Sequence, residues 1–355
     1  MLKIMKRTAP YWIIYFVPIM IVVGYLLGGW WNFITPISVF VLIPLVDLMV
    51  GSNKKNPTPE DEEYIKDALD FRAVTWIAAI VQPAILLWGV SVASSGNLTW
   101  VEWVGFAFSV GTLGGAMGIN IAHELIHRIS SNRWEPMLGK VLLWTVLYLH
   151  WSIEHVAGHH RTVATLEDSA TARKGESFFA FFPRTVIGGF QSAWQIESKR
   201  LERKEKKQWS IHNRILMYVG VTFLLIGFIG WVWGWLGVLF FVAQSMAAIW
   251  LLEVVNYIEH YGLLRKRNEN GSHEKVDFIH SWNSGARITN YFLFNLQRHS
   301  DHHAKPGRRY PILRHIETAP QLPTGYAGMI LLAMVPPLWY RVMDPRVPQL
   351  DADLK

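Results

Sequence analysis

The sequence predicts an all-α integral membrane protein, in which six transmembrane helices form three hairpins beneath a cytoplasmic His-rich helical cap, a single membrane-embedded domain over residues 1–355. Three observations carry this expectation. Lys and Arg are absent from three long stretches, 8–53, 73–127 and 215–264, which are 46, 55 and 50 residues long. Tryptophan gathers at the middle of each stretch, and nine of the 14 histidines stand near the ends of these stretches or in the charged segments between and after them.

A membrane-spanning helix needs roughly 20 mostly apolar residues, so each stretch has room for two spans and a turn. The interruptions at 28–32, 94–97 and 231–237 divide them into spans near 10–28, 33–51, 73–94, 100–122, 213–232 and 237–258. The first apolar stretch is too long for a signal peptide and lacks a small-residue cleavage site, so it reads as a retained span. Hairpins return the chain to the side it left. Both termini and the charged segments 123–212 and 260–355 therefore share one face, and every Lys and Arg lies there. That is the positive-inside pattern, which makes this face cytoplasmic; the expected location is a bacterial-type inner membrane. Trp30, Trp31, Trp100, Trp103, Trp231, Trp233 and Trp235 mark the opposite interface.

Composition agrees. The chain is 51% apolar and 17% charged, with a mean hydropathy of +0.18, which excludes a disordered chain or a coiled coil. The excess of 34 basic over 27 acidic residues follows from topology and needs no nucleic acid. The apolar segments 137–151 and 326–340 read as re-entrant or interfacial pieces, the second interrupted by Pro336 and Pro337. The run 199–207 reads as a solvated helix face or a contact with anionic lipid. Asp47 and Glu253, inside spans but near their cytoplasmic ends, read as structural hydrogen-bonding groups.

The chemistry lies in the histidines. There is no Cys, which removes thiolate zinc, iron-sulfur clusters and rubredoxin-type iron from this chain. Four clusters meet at the cytoplasmic mouth: His123-Glu124-Leu125-Ile126-His127; Glu154-His155 with His159-His160; Asn256-Tyr257-Ile258-Glu259-His260-Tyr261-Gly262; and Leu296-Gln297-Arg298-His299-Ser300-Asp301-His302-His303. Residues four apart share a face of an α-helix. His123 with His127, and His155 with His159, then each chelate one ion, as does His299 with His302 or His303. Nine imidazoles crowded together without metal would be costly to protonate. Imidazole suits zinc, copper, iron or nickel, and nine donors at four or five per ion call for two ions. Glu124, Glu154, Glu259 and Asp301 are placed to accept the second ring N–H of a ligand histidine. His150, His212, His273, His280 and His315 read as ordinary polar histidines. The first cluster also fits the zincin pattern, with Glu124 as general base, so an intramembrane zinc metalloprotease is a competing reading. A non-catalytic metal carrier would want more charge along the spans.

The three boxes at His123–His127, His155–His160 and His299–His303 resemble those of the membrane desaturase and hydroxylase superfamily. Residues 256–262 and 296–304 narrow the resemblance to the membrane-bound alkane 1-monooxygenases, over a range from the first span to about Pro345. The resemblance implies a non-haem di-iron site held by His123, His127, His155, His159, His160, His260, His299, His302 and His303. It implies O2 as oxidant and a medium-chain n-alkane, drawn from the membrane lipid, hydroxylated at its terminal methyl. It further implies electrons from rubredoxin, reduced by a reductase using NAD(P)H. A lipid desaturase or an aryl-methyl monooxygenase on the same scaffold is the nearer alternative. Because the implied donor is acidic, Arg298, Lys305, Arg308 and Arg309 are candidates for its docking rim, with 199–207 as an outer steering patch.

Overall fold

The computed structural model describes residues 7–65, 68–128 and 134–348. These residues are organised in helices, with no strand among them. Five helices are long and apolar enough to cross a membrane: Ala9–Leu27, Gly29–Val50, Leu69–Ser94, Trp100–Ile126 and Arg214–His260. The last has 47 residues, which at about 1.5 Å each would reach far beyond a hydrocarbon core of about 30 Å. It is interrupted at Gly234, whose φ of 68° is open to glycine and costly for other residues. The interruption falls inside the 231–237 break expected from sequence. Neither short apolar segment is long enough to span: the first contains the helix Glu135–Trp144, and the second divides into Tyr326–Ala333 and Pro336–Met343.

The chain forms two compact units, one from residues 1–39, 69–154 and 190–252, the other from 40–68, 155–189 and 253–355. In the first, a glycine stripe sets the packing of Trp100–Ile126. A Cβ at Gly111 would stand 2.5 Å from the Ala247 Cβ, and one at Gly118 would fall 1.9 Å from the Gln82 Oε1. Lipid tails are as apolar as leucine, so association between spans rests on such close approach and on internal polar contacts. Gln82 and Gln244 supply these: their side-chain amides reach the Thr145 Oγ1 at 2.7 Å and the Thr145 carbonyl at 3.1 Å. At the other end of this span Thr99 and Glu102 form a capping box, and Glu102 also accepts the Gly29 N–H at 2.7 Å. Trp30, Trp31, Trp100, Trp231 and Trp235 are exposed.

The second unit is mostly short helices and loops held by buried carboxylates. Asp47 accepts the Ile288 N–H at 2.6 Å and the Thr289 N–H at 3.1 Å, capping the helix Arg287–Phe292. Glu253 accepts from Thr185 at 2.9 Å and Asn256 at 3.1 Å. Tyr257 and Tyr261 pack their rings on Trp339, and the Tyr261 hydroxyl donates to Asp344 at 2.6 Å. These contacts fix the end of Arg214–His260, and with it His260.

Candidate metal centre

Seven of the nine histidines lie in the second unit, and four pairs of their Nε2 atoms face one another. His160 stands 3.1 Å from His155 and 3.1 Å from His302. His299 stands 3.2 Å from His260 and 2.9 Å from His303. Two sets result: His155, His160 and His302 in one, and His159, His260, His299 and His303 in the other, the ligand atoms of each within 4.8 Å of one another. The His160 and His303 ring centroids, 4.5 Å apart, bring the sets together. Where each ring carries its proton on Nδ1, the facing Nε2 lone pairs repel at this distance, so the arrangement can hold a cation between them. The donor set, imidazole without thiolate, fits iron.

Local structure decides which histidine joins which set. Residues 155–159 form a π-helical turn, where backbone bonds run from i to i+5 rather than i+4. The face of His155 is therefore shared with His160, five residues on. His159, expected to pair with His155, turns to the other set. The helix His299–Ala304 is a regular α-helix, so His299 pairs with His303 at the i+4 spacing while His302 turns to His160. Its start is fixed by Asn283, which accepts the Ser300 N–H at 3.0 Å and donates to the Ser300 hydroxyl.

The flanking loops are held in conformations that composition does not announce. Ala164 has φ of 58°, and Phe294 and Asn295 have φ of 53° and 57°. Non-glycine residues pay roughly 1–2 kcal/mol each for this region. Partners hold them there. The Ala164 N–H donates to Thr171 at 2.9 Å, the Arg265 N–H to the Ala164 carbonyl at 2.7 Å, and the Asn295 side chain to the Tyr310 carbonyl at 2.9 Å.

The carboxylates divide. Glu259 Oε1 lies 3.2 Å from the His299 Nδ1. Asp168, which the sequence reading passed over, lies 3.0 Å from the His159 Nδ1 and accepts from the Thr171 hydroxyl at 2.7 Å. Burial alone would raise the Asp168 carboxyl, but His159 and Thr171 hold it below its ordinary value. His303 is pushed well below the ordinary imidazole value by burial, then by the rings of His160, His299, His159 and His260. Asp301 does not hold a histidine, contrary to expectation. It takes both contacts of the Arg308 Nη1, at 2.9 and 2.8 Å, and the Arg314 N–H at 2.9 Å. The carboxylate is captured by the charge-assisted bonds of the Arg308 guanidinium, with the Arg314 backbone N–H completing its partners.

In the first unit His123 and His127 stand at the end of Asn120–Ile126, a regular α-helix, with ring centroids 5.1 Å apart. Glu124 is buried and binds the Arg128 guanidinium at 2.8 Å. Glu154 is buried as well.

The expected docking rim needs correction. Arg298 is buried, its guanidinium spent on the carbonyls of Leu313, Asn53 and Lys55, so it presents nothing to a partner. Arg308 is engaged by Asp301 and Glu62. Lys305 is exposed and Arg309 half-buried.

The fatty acid desaturase family model matches residues 98–333. The chain is 42% identical over 319 residues to alkane 1-monooxygenase 2 of Alcanivorax borkumensis, covering 90% of this chain and 83% of that protein. It is 42% identical over 346 residues to alkane 1-monooxygenase 2 of Pseudomonas aeruginosa, covering 94% and 91% of the two chains. It is also 42% identical over 323 residues to alkane 1-monooxygenase 1 of that organism, covering 90% and 84%.

Proposed function

The chain belongs to the alkane 1-monooxygenases within the fatty acid desaturase family, and from that premise we propose that it hydroxylates the terminal methyl of medium-chain n-alkanes. One atom of O2 enters the carbon–hydrogen bond and the other leaves as water, at the expense of two electrons and two protons. We take rubredoxin as the electron donor, supplied by its NAD(P)H-dependent reductase.

The observation that carries the reading is a set of seven imidazoles, six of them with Nε2 atoms facing one another at 2.9–3.2 Å and the seventh, His159, with its ligand atom within 4.8 Å of those of His260, His299 and His303. Two ions at four or five donors each require more than seven. The pair His123 and His127, at chelating spacing on a regular helix, supplies two more. When bound, two irons supply the O2-activating redox chemistry that no side chain here possesses.

The protein's own part is binding, orientation and exclusion of water. Asp168 accepts the Nδ1–H of His159, which leaves that Nε2 lone pair free for metal and fixes the ring plane, and the Glu259 carboxylate stands 3.2 Å from the His299 Nδ1 as a charge partner for that ring. Burial of His159, His260, His299 and His303 keeps water from the ligands. No residue need act as nucleophile or base on the alkane, which arrives from the bilayer because it dissolves there and scarcely in water. The positive-inside bias puts the histidines and both termini on the cytoplasmic side of an inner membrane, within reach of a soluble donor. A zinc protease reading uses only His123, Glu124 and His127 and leaves the seven imidazoles without a role.

The deciding experiment is metal analysis of detergent-purified protein together with octane turnover in the presence of rubredoxin, its reductase and NADH. We expect two irons per chain and 1-octanol. One zinc per chain with no iron-dependent turnover would overturn the reading.

A further inference from the structure

Apart from the histidines, the first unit contains a cavity of about 430 Å³ lined by Ile126, Pro136, Lys140, Ser152, Ile153, Arg214 and Tyr218. Ile126 is the last residue of one candidate span and Arg214 the first of another. A cavity touching both ends lies at the level of one membrane face, where lipid headgroups are.

Its charge is one-sided. Among the described residues no carboxylate lines it. The half-buried Lys140 has its ammonium 5.9 Å from the Tyr218 ring centroid and makes no ion pair among the described residues. Arg214 binds Glu197 at 2.7 Å, but Arg200 takes the same carboxylate at 2.6 Å. Two guanidiniums on one carboxylate leave a positive charge over. The same lining includes the apolar side chains of Ile126, Pro136 and Ile153. A cationic end beside an apolar end fits an amphiphile with an anionic head.

The neighbouring segment independently points to lipid. Just before Arg214, Trp209 is 76% and Ile211 94% exposed, beside the exposed Arg203, Lys204, Lys206 and Lys207. Large apolar side chains this open to solvent, interleaved with cations, are at home in a headgroup layer that is anionic.

We propose that this cavity holds one anionic phospholipid, its phosphate bound by Lys140, Arg214 and the Tyr218 hydroxyl, and its glycerol and first acyl carbons laid against Ile126, Pro136 and Ile153. A bound lipid braces the helix end that carries His123 and His127, since Ile126 belongs to that turn. The assignment depends on the chain being membrane-embedded and is independent of the reaction it catalyses.

The test uses the full-length protein in phosphatidylcholine nanodiscs titrated with phosphatidylglycerol, with native mass spectrometry counting retained lipid. One phosphatidylglycerol per chain should survive mild delipidation. Lys140→Glu should weaken it about tenfold or more, given what each basic group contributes near a lipid surface. Tyr218→Phe should weaken it less, and Lys140→Arg should retain it. Lys204→Glu should leave it unchanged. Melting curves and gel filtration of each variant separate lost binding from lost folding, with Lys140→Arg as the folded reference. Equal loss in Lys204→Glu would mean diffuse surface charge and overturn the site. No preference for phosphatidylglycerol over phosphatidylcholine would overturn it too. Displacement of the lipid by millimolar inorganic phosphate alone would assign the cavity to a free anion instead.

Discussion

Two regions carry the same His-x-x-x-His spacing and use it differently. His123 and His127 lie on a regular α-helix and stand together. His155 and His159 lie on a π turn and, with their rings stacked at 5.3 Å, send their ligand atoms to different sets, His155 to that of His160 and His159 to that of His260, His299 and His303. The lesson is that spacing specifies a face only after the type of helix is known. One extra residue per turn moves a partnership from i+4 to i+5, and a turn of that kind distributes nearby histidines between two sets of ligand atoms.

The sharpest break of this comparison is a change of register. Inserting an alanine between Val156 and Ala157 puts His160 six residues from His155, off the face they share on the π turn, and we expect iron binding and turnover to fall to background. Inserting an alanine between Leu125 and Ile126 swings His127 about 100° around its helix and should be equally damaging. A variant with the alanine after Val156 that kept full iron would show that the register of this turn does not set the partnership.

Single replacements sharpen the assignment. His155→Ala and His160→Ala should perturb one iron environment in Mössbauer spectra of iron-loaded protein, and His159→Ala and His303→Ala the other. All four should lose turnover. If His155→Ala and His159→Ala gave the same spectrum, the two would share an ion after all.

A smaller effect separates the carboxylates. Asp168→Asn should weaken iron binding by about 10–100-fold, the usual cost of losing a group that orients a ligand histidine. Asp301→Asn should cost iron affinity much less, because Asp301 grips the Arg308 guanidinium, and should appear mainly in thermal stability. Glu124→Gln falls between, with residual activity tracking iron content. Equal iron loss for Asp168→Asn and Asp301→Asn would refute the division drawn from their contacts.

The smallest effect concerns the donor. With Arg298 buried and Arg308 engaged, Lys305 is the exposed cation nearest His303 in sequence. Lys305→Glu should raise the apparent KM for rubredoxin a few-fold and flatten its salt dependence, as expected for a rim charge acting on encounter. Iron content should not change. Unaltered kinetics at low salt would move the docking surface elsewhere.

Much of the molecule was legible in advance because hydropathy and charge are local properties. The apolar helices, the break at Gly234 and the gathering of tryptophan at the turns follow from what lipid accepts, whatever the rest of the chain does. The histidines were legible for a different reason: few structures put nine imidazoles in four short clusters without a metal to bind. Asp168 escaped notice because nothing about an Asp eight residues beyond His160 distinguishes it from a loop residue. Only the turn made by its contacts to Ala170 and Thr171 aims it at His159. Arg298 misled for the complementary reason. A basic residue beside a site looks like surface until the loops around Asn53 and Leu313 are seen to close over it.

The sequence by itself therefore determined that this is a helical membrane protein, that its chemistry is imidazole chemistry, and which nine rings are the candidate ligands, since all three depend on composition and short spacing. The tertiary structure decided which rings share a set, which carboxylates face them, and which arginines are available to a partner. Those outcomes turn on one residue of helical register and on side chains brought together from segments more than a hundred residues apart, such as His160 and His302, where a shift of a few ångströms changes the partner and no local pattern records the choice.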